Sequence, residues 1–489
     1  MSSTTERSDA LLERHAPTIE RSIERFGLPI HVYFLTEMKR NAAGFLETAA
    51  DLYPNTIVAF AVKANPCRGA VRAAKRFGLG ADTASEHELR AALEEGIPPE
   101  RITCNGNAKS DEYLRLAINS GAYIALDNRD EIDALERLVV GLDRSALVLV
   151  RFRGMPLAGL TSADQTTAAD WTKFGFHIDE ADAIFRRLTS SPHLRTVGIS
   201  AHIGTQITDP SGYVLLLEYL FSIAERAEAA GIAIERIDIG GGFPVSFLTE
   251  GEWTEFKTRH LARVRREVPI EEGMTWNDLP LGYAHLEKGG TDERWIGKSY
   301  FTRYPGATML EHLLLHRFPD GETTLDKLER LGSPTLVVEP GRSLIASCGI
   351  TLSRVMGAKR VLGHNVVSLD LGINNHGSNL IAPDIFPAAV LPKRPDDPGA
   401  EAFLAGRLCF SGDMISKIKI SLNRLPERGE RFVIYHTGAY GADHFAGHSC
   451  GFPRPGKVAI REDGTAEVWR RPDRFEDVFG SAGDRLTLD

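Results

Sequence analysis

Several polar residues of this chain follow short apolar runs. Their side chains are of the kinds that together could bind an anion and transfer protons. Lys63 ends one such run, in AFAVKANP. Burial beside an apolar strand lowers the pKa of a lysine amine, which makes it a better nucleophile for imine formation with a carbonyl compound. Taken alone, a surface lysine just past a strand is the more common explanation of such a residue. The case for chemistry therefore depends on the residues that accompany Lys63.

An anion site is indicated further along the chain. Gly240, Gly241 and Gly242 come directly after a strand-like run, in IDIGGGFP. Glycines let backbone N–H groups approach an anion closely, although a tight turn explains three glycines about as well. Arg342, in EPGRS, adds a guanidinium fork suited to phosphate oxygens. Tyr440, in HTGAYG, could add a hydroxyl to the same anion.

Three further residues suit proton handling. Glu339, in EPGRS, could face a ring nitrogen, keep it protonated and so make the ring an electron sink; a structural salt bridge is the alternative. His202, in AHIGTQ, could lie flat against such a ring or be a hydrogen-bonded structural residue. Cys409, in RLCFSGD, could return a proton to a carbanion, whereas most buried cysteines are inert packing.

The elements that must position these residues alternate between apolar runs and amphipathic stretches. Near-continuous apolar runs are typical of buried parallel strands. Eight such runs are TIVAFAVKAN, LGADTAS, RITCNGN, YIALDN, LVLVRFR, VGISAHIGTQ, RIDIGGGFP and TLVVEPGRS. Eight repeats predict a closed (β/α)8 barrel of the α/β class, whose site lies at the carboxyl ends of the strands. The polar residues at those ends are Lys63, Asp82, Arg151, His202, Gly240 to Gly242, and Glu339.

The pattern predicts two domains. Residues 38–345 form the barrel, with a long insertion at about 248–333 that is either a surface elaboration or a substrate-facing lid. From residue 346 to 489, short strand-like segments separated by turn residues predict a mainly antiparallel β domain. TLSRVMGAKRVL, VVSLDLG, GRLCFSGD, RFVIYHTGAYG, KVAIRED and TAEVWRR are these segments.

Composition excludes several classes of protein. The 489 residues are 43% hydrophobic and 25% charged, which suits a globular protein of this size. A net charge of -9 argues against a nucleic-acid binder, and no apolar run approaches the ~20 residues of a membrane helix. The charged N-terminus lacks the apolar segment of a signal peptide. The five cysteines form no CxxC pair, so we expect a cytoplasmic protein without a disulfide framework or a metal site.

The motifs, taken in order, resemble a known family. AVKANP, ADTAS, KFGF, HIGTQ, DIGGGFP, EPGR, CFSGD and GAYG resemble the motifs of the fold type III, alanine-racemase-fold decarboxylases, above all diaminopimelate decarboxylase and its ornithine-type relatives. The resemblance covers roughly residues 29–470. It implies a pyridoxal 5′-phosphate cofactor and a barrel followed by a β domain that residues 1–37 help to build. It also implies a homodimer with active sites shared between subunits.

The resemblance also assigns roles to residues. It implies that Lys63 is the Schiff-base lysine, that His202 stacks on the cofactor ring and that Glu339 is the partner of the pyridine nitrogen. Cys409 resembles the catalytic cysteine that reaches into the neighbouring subunit's site. The residues that match the cofactor site in addition are Gly240, Gly241, Gly242, Arg342, Tyr440, Asp82 and Arg151.

Two departures concern the substrate. The family usually has an acidic residue after the cysteine, and this chain has Phe410. Diaminopimelate decarboxylases carry an arginine for the distal carboxylate where this chain has LDLGINNHGSNLIAPDIFPA, with neither arginine nor lysine. Asp384, in this segment, resembles the acidic residue that ornithine-type enzymes use for a distal amine. The candidates for substrate binding are Arg342, Asp384, Asp413 and Tyr440.

The predicted function is decarboxylation of an amino acid, in the manner of diaminopimelate decarboxylase. The altered substrate segment and the insertion leave open a modified amino acid, such as a siderophore intermediate. A racemase on the same barrel usually has an arginine at the pyridine nitrogen and a tyrosine as second base, so Glu339 and Cys409 favour decarboxylation. A cofactor-binding protein without turnover is the third alternative, and the full set of candidate catalytic residues argues against it.

Overall fold

A computed structural model describes residues 4–155, 167–291, 300–377, 383–444 and 446–480. Its internal contacts divide the chain into two compact units. The barrel unit consists of Lys39–Ser246 and Ile296–Leu344, and the β unit consists of Met1–Met38, Phe247–Trp295 and Ile345–Asp489. Each unit is described by itself below.

The strands follow one another along the chain in two groups, first those of the barrel and then those of the β unit, with β1 ahead of both. In chain order they are β1 (Ile30–Phe34), β2 (Thr56–Ala61), β3 (Gly80–Thr83), β4 (Ile102–Cys104), β5 (Tyr123–Leu126), β6 (Ala146–Arg153), β7 (Phe176–His177), β8 (Leu194–Ser200), β9 (Arg236–Asp238), β10 (Thr335–Val338), β11 (Gly349–Val361), β12 (His364–Leu369), β13 (Ala388–Leu391), β14 (Ala400–Ala405), β15 (Met414–Leu422), β16 (Arg431–Tyr435), β17 (Gly456–Ile460) and β18 (Ala466–Arg470).

The helices lie mostly between the barrel strands. In chain order they are α1 (Thr4–Arg14), α2 (Ala16–Phe26), α3 (Leu35–Leu52), α4 (Arg68–Arg76), α5 (Glu86–Glu94), α6 (Asp111–Ser120), α7 (Arg129–Leu142), α8 (Ala181–Thr189), α9 (Pro210–Ala229), α10 (Glu250–Val264), α11 (Ala284–Glu287), α12 (Ala307–Leu314), α13 (Thr324–Arg330), α14 (Arg342–Ile345) and α15 (Phe475–Phe479). Within the described ranges, none of them is both long and apolar enough to cross a bilayer.

The barrel unit is a closed sheet of eight parallel strands. Pairing runs from β2 through β3, β4, β5, β6, β8 and β9 to β10, and β10 pairs with β2 to complete the circle. The short β7 pairs with β6 alone. Each of the eight predicted apolar runs supplies one barrel strand, so the predicted fold class is confirmed.

Local sequence fixes where the barrel helices begin. Ser85, Ser110 and Asn128 each accept a hydrogen bond from the backbone N–H three residues further on, at the starts of α5, α6 and α7. Such caps satisfy N–H groups that lack a partner within the helix. Because each cap lies just after a strand, it also sets the length of the loop at the carboxyl end of that strand.

The β unit is mainly antiparallel, as predicted. Its main sheet has the order β15-β14-β12-β11-β1-β17-β18, and β16 pairs with β11 and β13. β1 lies between β11, with which it is antiparallel, and β17, with which it is parallel. The N-terminal segment therefore builds the middle of a sheet whose other strands come from the last third of the chain.

One strand-like segment of the β unit is a loop instead. GRLCFSGD, residues 406–413, connects β14 to β15, and its ends are joined by a hydrogen bond from Gly406 N–H to the Asp413 carbonyl at 2.8 Å. The Asp413 carboxylate also accepts hydrogen bonds from the N–H groups of Ile373 and Leu408, both at 2.7 Å. These bonds to one carboxylate favour a tight loop over an extended ladder.

The predicted insertion of residues 248–333 is divided between the two units. Its first part groups with the β unit, where Arg259 pairs with Glu401 at 2.7 Å and Thr275 bridges Ile418. Its later part, with α12 and α13, groups with the barrel. Residues 292–299 lie outside the described residues. The domain boundaries at 37/38 and 345/346 stay predictions.

Candidate active site

The residues predicted at the strand ends meet at one end of the barrel. Lys63 follows β2 in a single turn of 3-10 helix, and Glu339 comes directly after β10. His202 comes two residues after the end of β8. The cavity at this end has a volume of about 180 Å³. Among its lining residues are Lys63, Asn105, Arg151, His202, Gly240 and Glu339.

Lys63 belongs to a continuous hydrogen-bonded chain at the base of this cavity. Its ammonium contacts one carboxylate oxygen of Asp82, which is 1% exposed. The other oxygen of Asp82 accepts a hydrogen bond from Asn105 Nδ2 at 2.8 Å, and the same nitrogen donates to Glu339 Oε1 at 2.7 Å. The amine and the buried acid Glu339 are thus joined through two side chains.

Glu339 lies in surroundings that disfavour its charged form. Burial, followed by the negative charges of Asp238 and Asp82, raises the pKa of Glu339 well above its usual range. Burial also raises the pKa of Asp238, to about 6. Asp238 is held by the N–H of Gly240, which donates to its Oδ1 at 2.8 Å. In the cofactor-free protein, Glu339 therefore holds a proton more readily than an exposed glutamate does.

His202 is neutral, and its tautomer follows from its contacts. The N–H of Gly241 donates to His202 Nδ1 at 2.8 Å, so Nδ1 carries the lone pair and the ring proton is on Nε2. Burial, followed by the positive charges of Lys63 and Arg151, lowers the pKa of His202 well below its usual range. An uncharged imidazole can lie against an aromatic ring without adding a second cation to the cavity.

The glycine run has two functions in this structure. A Cβ at Gly241 would lie 2.4 Å from the Glu339 carbonyl oxygen, and one at Gly240 would lie 2.3 Å from His202 Nδ1. Gly240 and Gly242 have φ values of +67° and +94°, which favour glycine. The N–H groups of Gly240 and Gly241 already donate to Asp238 and His202. Of the three glycines, Gly242 is therefore the candidate for donating its N–H to a bound anion.

Known proteins share the sequence that builds this geometry. Residues 42–269 match the family model described as "Pyridoxal-dependent decarboxylase, pyridoxal binding domain". The diaminopimelate decarboxylase of Zymomonas mobilis is 29% identical over 424 residues, which cover 86% of this chain and 84% of the relative. Over residues 42–269 the chain is therefore similar to the pyridoxal-dependent decarboxylases.

Solved structures agree with the decarboxylase fold. Diaminopimelate decarboxylase from M. jannaschii, in a complex with L-lysine, superposes with a TM-score of 0.75 at 22% identity and covers 96% of this chain and 94% of its own. Lysine/ornithine decarboxylase from Vibrio vulnificus, complexed with putrescine, gives a TM-score of 0.63 at 20% identity, covering 92% and 98%. At these identities the similarity is one of fold.

The decarboxylase cavity fits pyridoxal 5′-phosphate, the cofactor of the family. It presents an amine, a buried acid and a flat neutral imidazole. Within the described residues, the buried hydroxyl of Ser200 has no hydrogen-bond partner, so the cavity also offers a polar atom that a ligand can satisfy. Lys63 would hold the cofactor covalently, and Glu339 would share a proton with the ring nitrogen of the cofactor.

Two more residues, Arg151 and Arg342, were predicted to contact the cofactor of the decarboxylase. Arg151, which is 7% exposed, lies with its guanidinium 4.3 Å from the centre of the Phe174 ring. That stacking fixes its direction toward the cavity wall. Arg342 begins α14, three residues after Glu339. A role for Arg342 at the phosphate stays a prediction.

The remaining predicted residues belong to the β unit of the decarboxylase. Cys409 is exposed in the 406–413 loop, and Phe410 beside it is 58% exposed. Asp384 is buried, and Tyr440 has a left-handed φ of 58°. The carboxylate of Asp413 is bound to backbone N–H groups, and burial raises its pKa. Residues 378–382 of the substrate segment lie outside the described residues.

Two decarboxylase residues were missed by the sequence reasoning. Asn105 follows β4 directly, and Asp238 ends β9. Both occupy the carboxyl ends of barrel strands, the position that singled out Lys63 and Asp82. Examination of every polar residue at those ends, rather than only those in familiar motifs, would have included them.

Proposed function

We propose that the protein decarboxylates an α-amino acid of the diaminopimelate type, with pyridoxal 5′-phosphate held by Lys63. One observation carries the proposal. The amine of Lys63 and the buried acid Glu339 belong to a single hydrogen-bonded chain through Asp82 and Asn105, at a cavity that His202 also lines. These are the groups that a carbanion-forming reaction on a pyridine ring requires.

When bound, the cofactor supplies the electron sink that accepts the electron pair left behind as carbon dioxide departs. The chain supplies the rest. Glu339, whose pKa is raised by burial and by Asp238, holds a proton that it can share with the ring nitrogen. His202, whose ring is fixed by the N–H of Gly241, would pack against the cofactor. Cys409 is our candidate for returning a proton to the substrate carbon.

The proposed substrate class follows from the relatives, and two features of this chain favour a second candidate. Relatives at 29% and 28% identity are named diaminopimelate decarboxylase. The loop of Cys409, however, presents the apolar Phe410 at 58% exposure where the family has an acid. The segment 369–388 contains no arginine for a distal carboxylate. A modified amino acid, such as a siderophore intermediate, is therefore the second candidate.

The test is a carbon dioxide release screen of the purified holoenzyme. It covers diaminopimelate, lysine, ornithine, arginine and carboxylated siderophore intermediates, with Lys63→Ala as the inactive control. Release from diaminopimelate supports the first candidate, and release only from a modified amino acid supports the second. Loss of optical rotation without carbon dioxide would mean a racemase, and no reaction with any substrate contradicts the proposal.

Cofactor attachment is checked separately. Borohydride reduction followed by peptide mapping is expected to place the pyridoxyl group on Lys63. Its appearance on another lysine, for example the buried Lys109 that pairs with Glu131 at 3.0 Å, would remove Lys63 from the proposed role.

We also propose a homodimer in which Cys409 serves the active site of the second copy, and a cytoplasmic location. Resemblance to the family supports the dimer. In the described part of the chain, the five cysteines form no disulfide, which suits the reducing conditions of the cytoplasm.

A further inference from the structure

Asn105 is a loop residue whose backbone and side chain together donate three hydrogen bonds. It comes directly after β4, and its backbone N–H donates to the Thr83 carbonyl at 2.7 Å, which fixes it beside β3. Its side-chain nitrogen donates to Asp82 at 2.8 Å and to Glu339 at 2.7 Å. An amide nitrogen carries two hydrogens, so both are committed. The carbonyl end of the amide has no hydrogen to donate to Asp82, the carboxylate that pairs with Lys63, so the orientation of Asn105 is determined.

The charges around Asn105 explain why an amide is suited to this position. Asp82, Asp238 and Glu339 are 1%, 2% and 4% exposed, so three acids share a small buried volume. The ammonium of Lys63 pairs with Asp82. A neutral donor can hold two carboxyl groups without adding a charge. A cation at residue 105 would form its own ion pair with Glu339, and another acid would increase the repulsion.

We propose that Asn105 is a positioning residue of the decarboxylase, an inference that rests on the proposed function. Through one nitrogen it holds Asp82 against Lys63 and holds one oxygen of Glu339. Glu339 also shares a hydrogen bond with Asp238, so Asn105 is one of two side chains that hold this acid. Asn105 thus sets the spacing between the two groups that must act on opposite sides of the same ring.

The first experiment compares Asn105→Ala with Asn107→Ala in the holoenzyme. Asn107 is the same residue type in the same loop and does not line the cavity. The hydrogen bonds to Asp82 and Glu339 are lost only in Asn105→Ala, so kcat should fall about 10- to 100-fold with KM within about threefold. The cofactor dissociation constant, followed by its visible absorption, should rise about three- to tenfold. Asn107→Ala should match the wild type in each measurement.

The second experiment needs no turnover and uses the cofactor-free protein. Asn105→Asp keeps the size of the side chain but adds an acid to the buried cluster. Carboxyl groups that are forced together have raised pKa values in the folded state. The folded state therefore binds extra protons at low pH, and it loses stability as the pH rises and those protons leave. The unfolding temperature of Asn105→Asp should therefore be close to that of the wild type at pH 5 and fall increasingly below it towards pH 8.

The outcomes separate this proposal from the proposed function. A wild type that binds the cofactor but decarboxylates nothing would refute the function, while the cofactor dissociation constant and the pH experiment would still judge Asn105. Wild-type kcat and cofactor affinity in Asn105→Ala would overturn the positioning role. A stability difference for Asn105→Asp that is the same at pH 5 and pH 8 would overturn it as well, because the amide would then not be separating interacting acids.

Discussion

Glu339 has a pKa that its buried, acidic surroundings raise, and a substitution can test whether its proton matters for turnover. Glu339→Gln keeps the shape of the side chain and can still accept from Asn105, but it has no proton to share with the ring nitrogen. We expect the fold and cofactor binding to persist while turnover falls about 100-fold or more. The measurement is kcat together with the visible spectrum of the bound cofactor. Glu235→Gln, at an exposed ion pair with Arg195, is the control and should leave kcat unchanged.

Glu88 gives a prediction for pH dependence. Its carboxylate accepts a hydrogen bond from the Ala84 N–H at 2.7 Å, and burial raises its pKa to about 7. Because the folded pKa exceeds the unfolded one, the folded state binds the extra proton between about pH 4.5 and 7. Stability is therefore greatest at the low end of this window and is lost as pH rises through 7.

Glu88→Gln removes this titration and can keep the bond to Ala84. We expect the cofactor-free variant to match the wild type near pH 5 and to be more stable by about 1–3 kcal/mol at pH 8. Thermal unfolding at a series of pH values measures the difference. A variant that is less stable than the wild type at pH 8 would contradict the prediction.

The candidate site residues could be predicted mainly from the residue types that follow the predicted strands. Lys63, His202 and Glu339 could be predicted because each follows an apolar run and has an unusual chemical type for that position. Asn105 was missed because an asparagine after a strand is also an ordinary turn residue. The engagement of the Gly241 N–H by His202 could not be predicted, since it depends on how closely β8 and β9 approach.

At the scale of elements, the loop after β9 packs without spare room. A Cβ at Gly241 would meet the Glu339 carbonyl oxygen at 2.4 Å, and backbone cannot move aside cheaply. Gly241→Ala should therefore lower the free energy of unfolding by about 1–3 kcal/mol. Denaturant unfolding of the cofactor-free protein measures it.

Gly141 provides the matched control for that substitution. It lies in α7, and a Cβ there would meet nothing within 4 Å. Gly141→Ala should raise the free energy of unfolding by about 0.5 kcal/mol, because alanine loses less backbone entropy in a helix. The same chemical change should thus have opposite signs at the two positions; equal effects would mean that the crowding around Gly241 is unimportant.

Periodicity identified the barrel better than the β unit. Buried parallel strands such as β2 and β10 are apolar along their whole length, and that pattern is hard to mistake. GRLCFSGD was predicted as a strand because it is one of several short strand-like segments separated by turn residues. The bonds that Asp413 accepts from Ile373 and Leu408 make it a loop. The first of these bonds spans 40 positions, and no local pattern reports it.

For the whole molecule, the proposed homodimer makes a counting prediction. Lys63→Ala and Cys409→Ala homodimers should each be nearly inactive. If Cys409 acts in the second copy, a mixed dimer has one site with both defects and one intact site. After random 1:1 exchange, activity should recover to about a quarter of wild type, because half of the dimers are mixed and half of their sites work.

Subunit exchange must be shown independently, for example with two distinguishable tags. Exchange without any recovery of activity would mean that Cys409 acts within its own chain or is not catalytic. Cys450→Ala, at the other exposed cysteine, is the control and should retain full activity as a homodimer.

The place of β1 has a consequence for synthesis on the ribosome. β1 spans Ile30–Phe34, and its parallel neighbour β17 begins only at Gly456. At about 5–20 residues per second, roughly 20–80 s separate the emergence of the two strands. During that interval β1 lacks β17, and until Gly349–Val361 has been made it also lacks its other neighbour, β11. Nascent chains stalled before residue 456 should therefore recruit chaperones through the N-terminal segment.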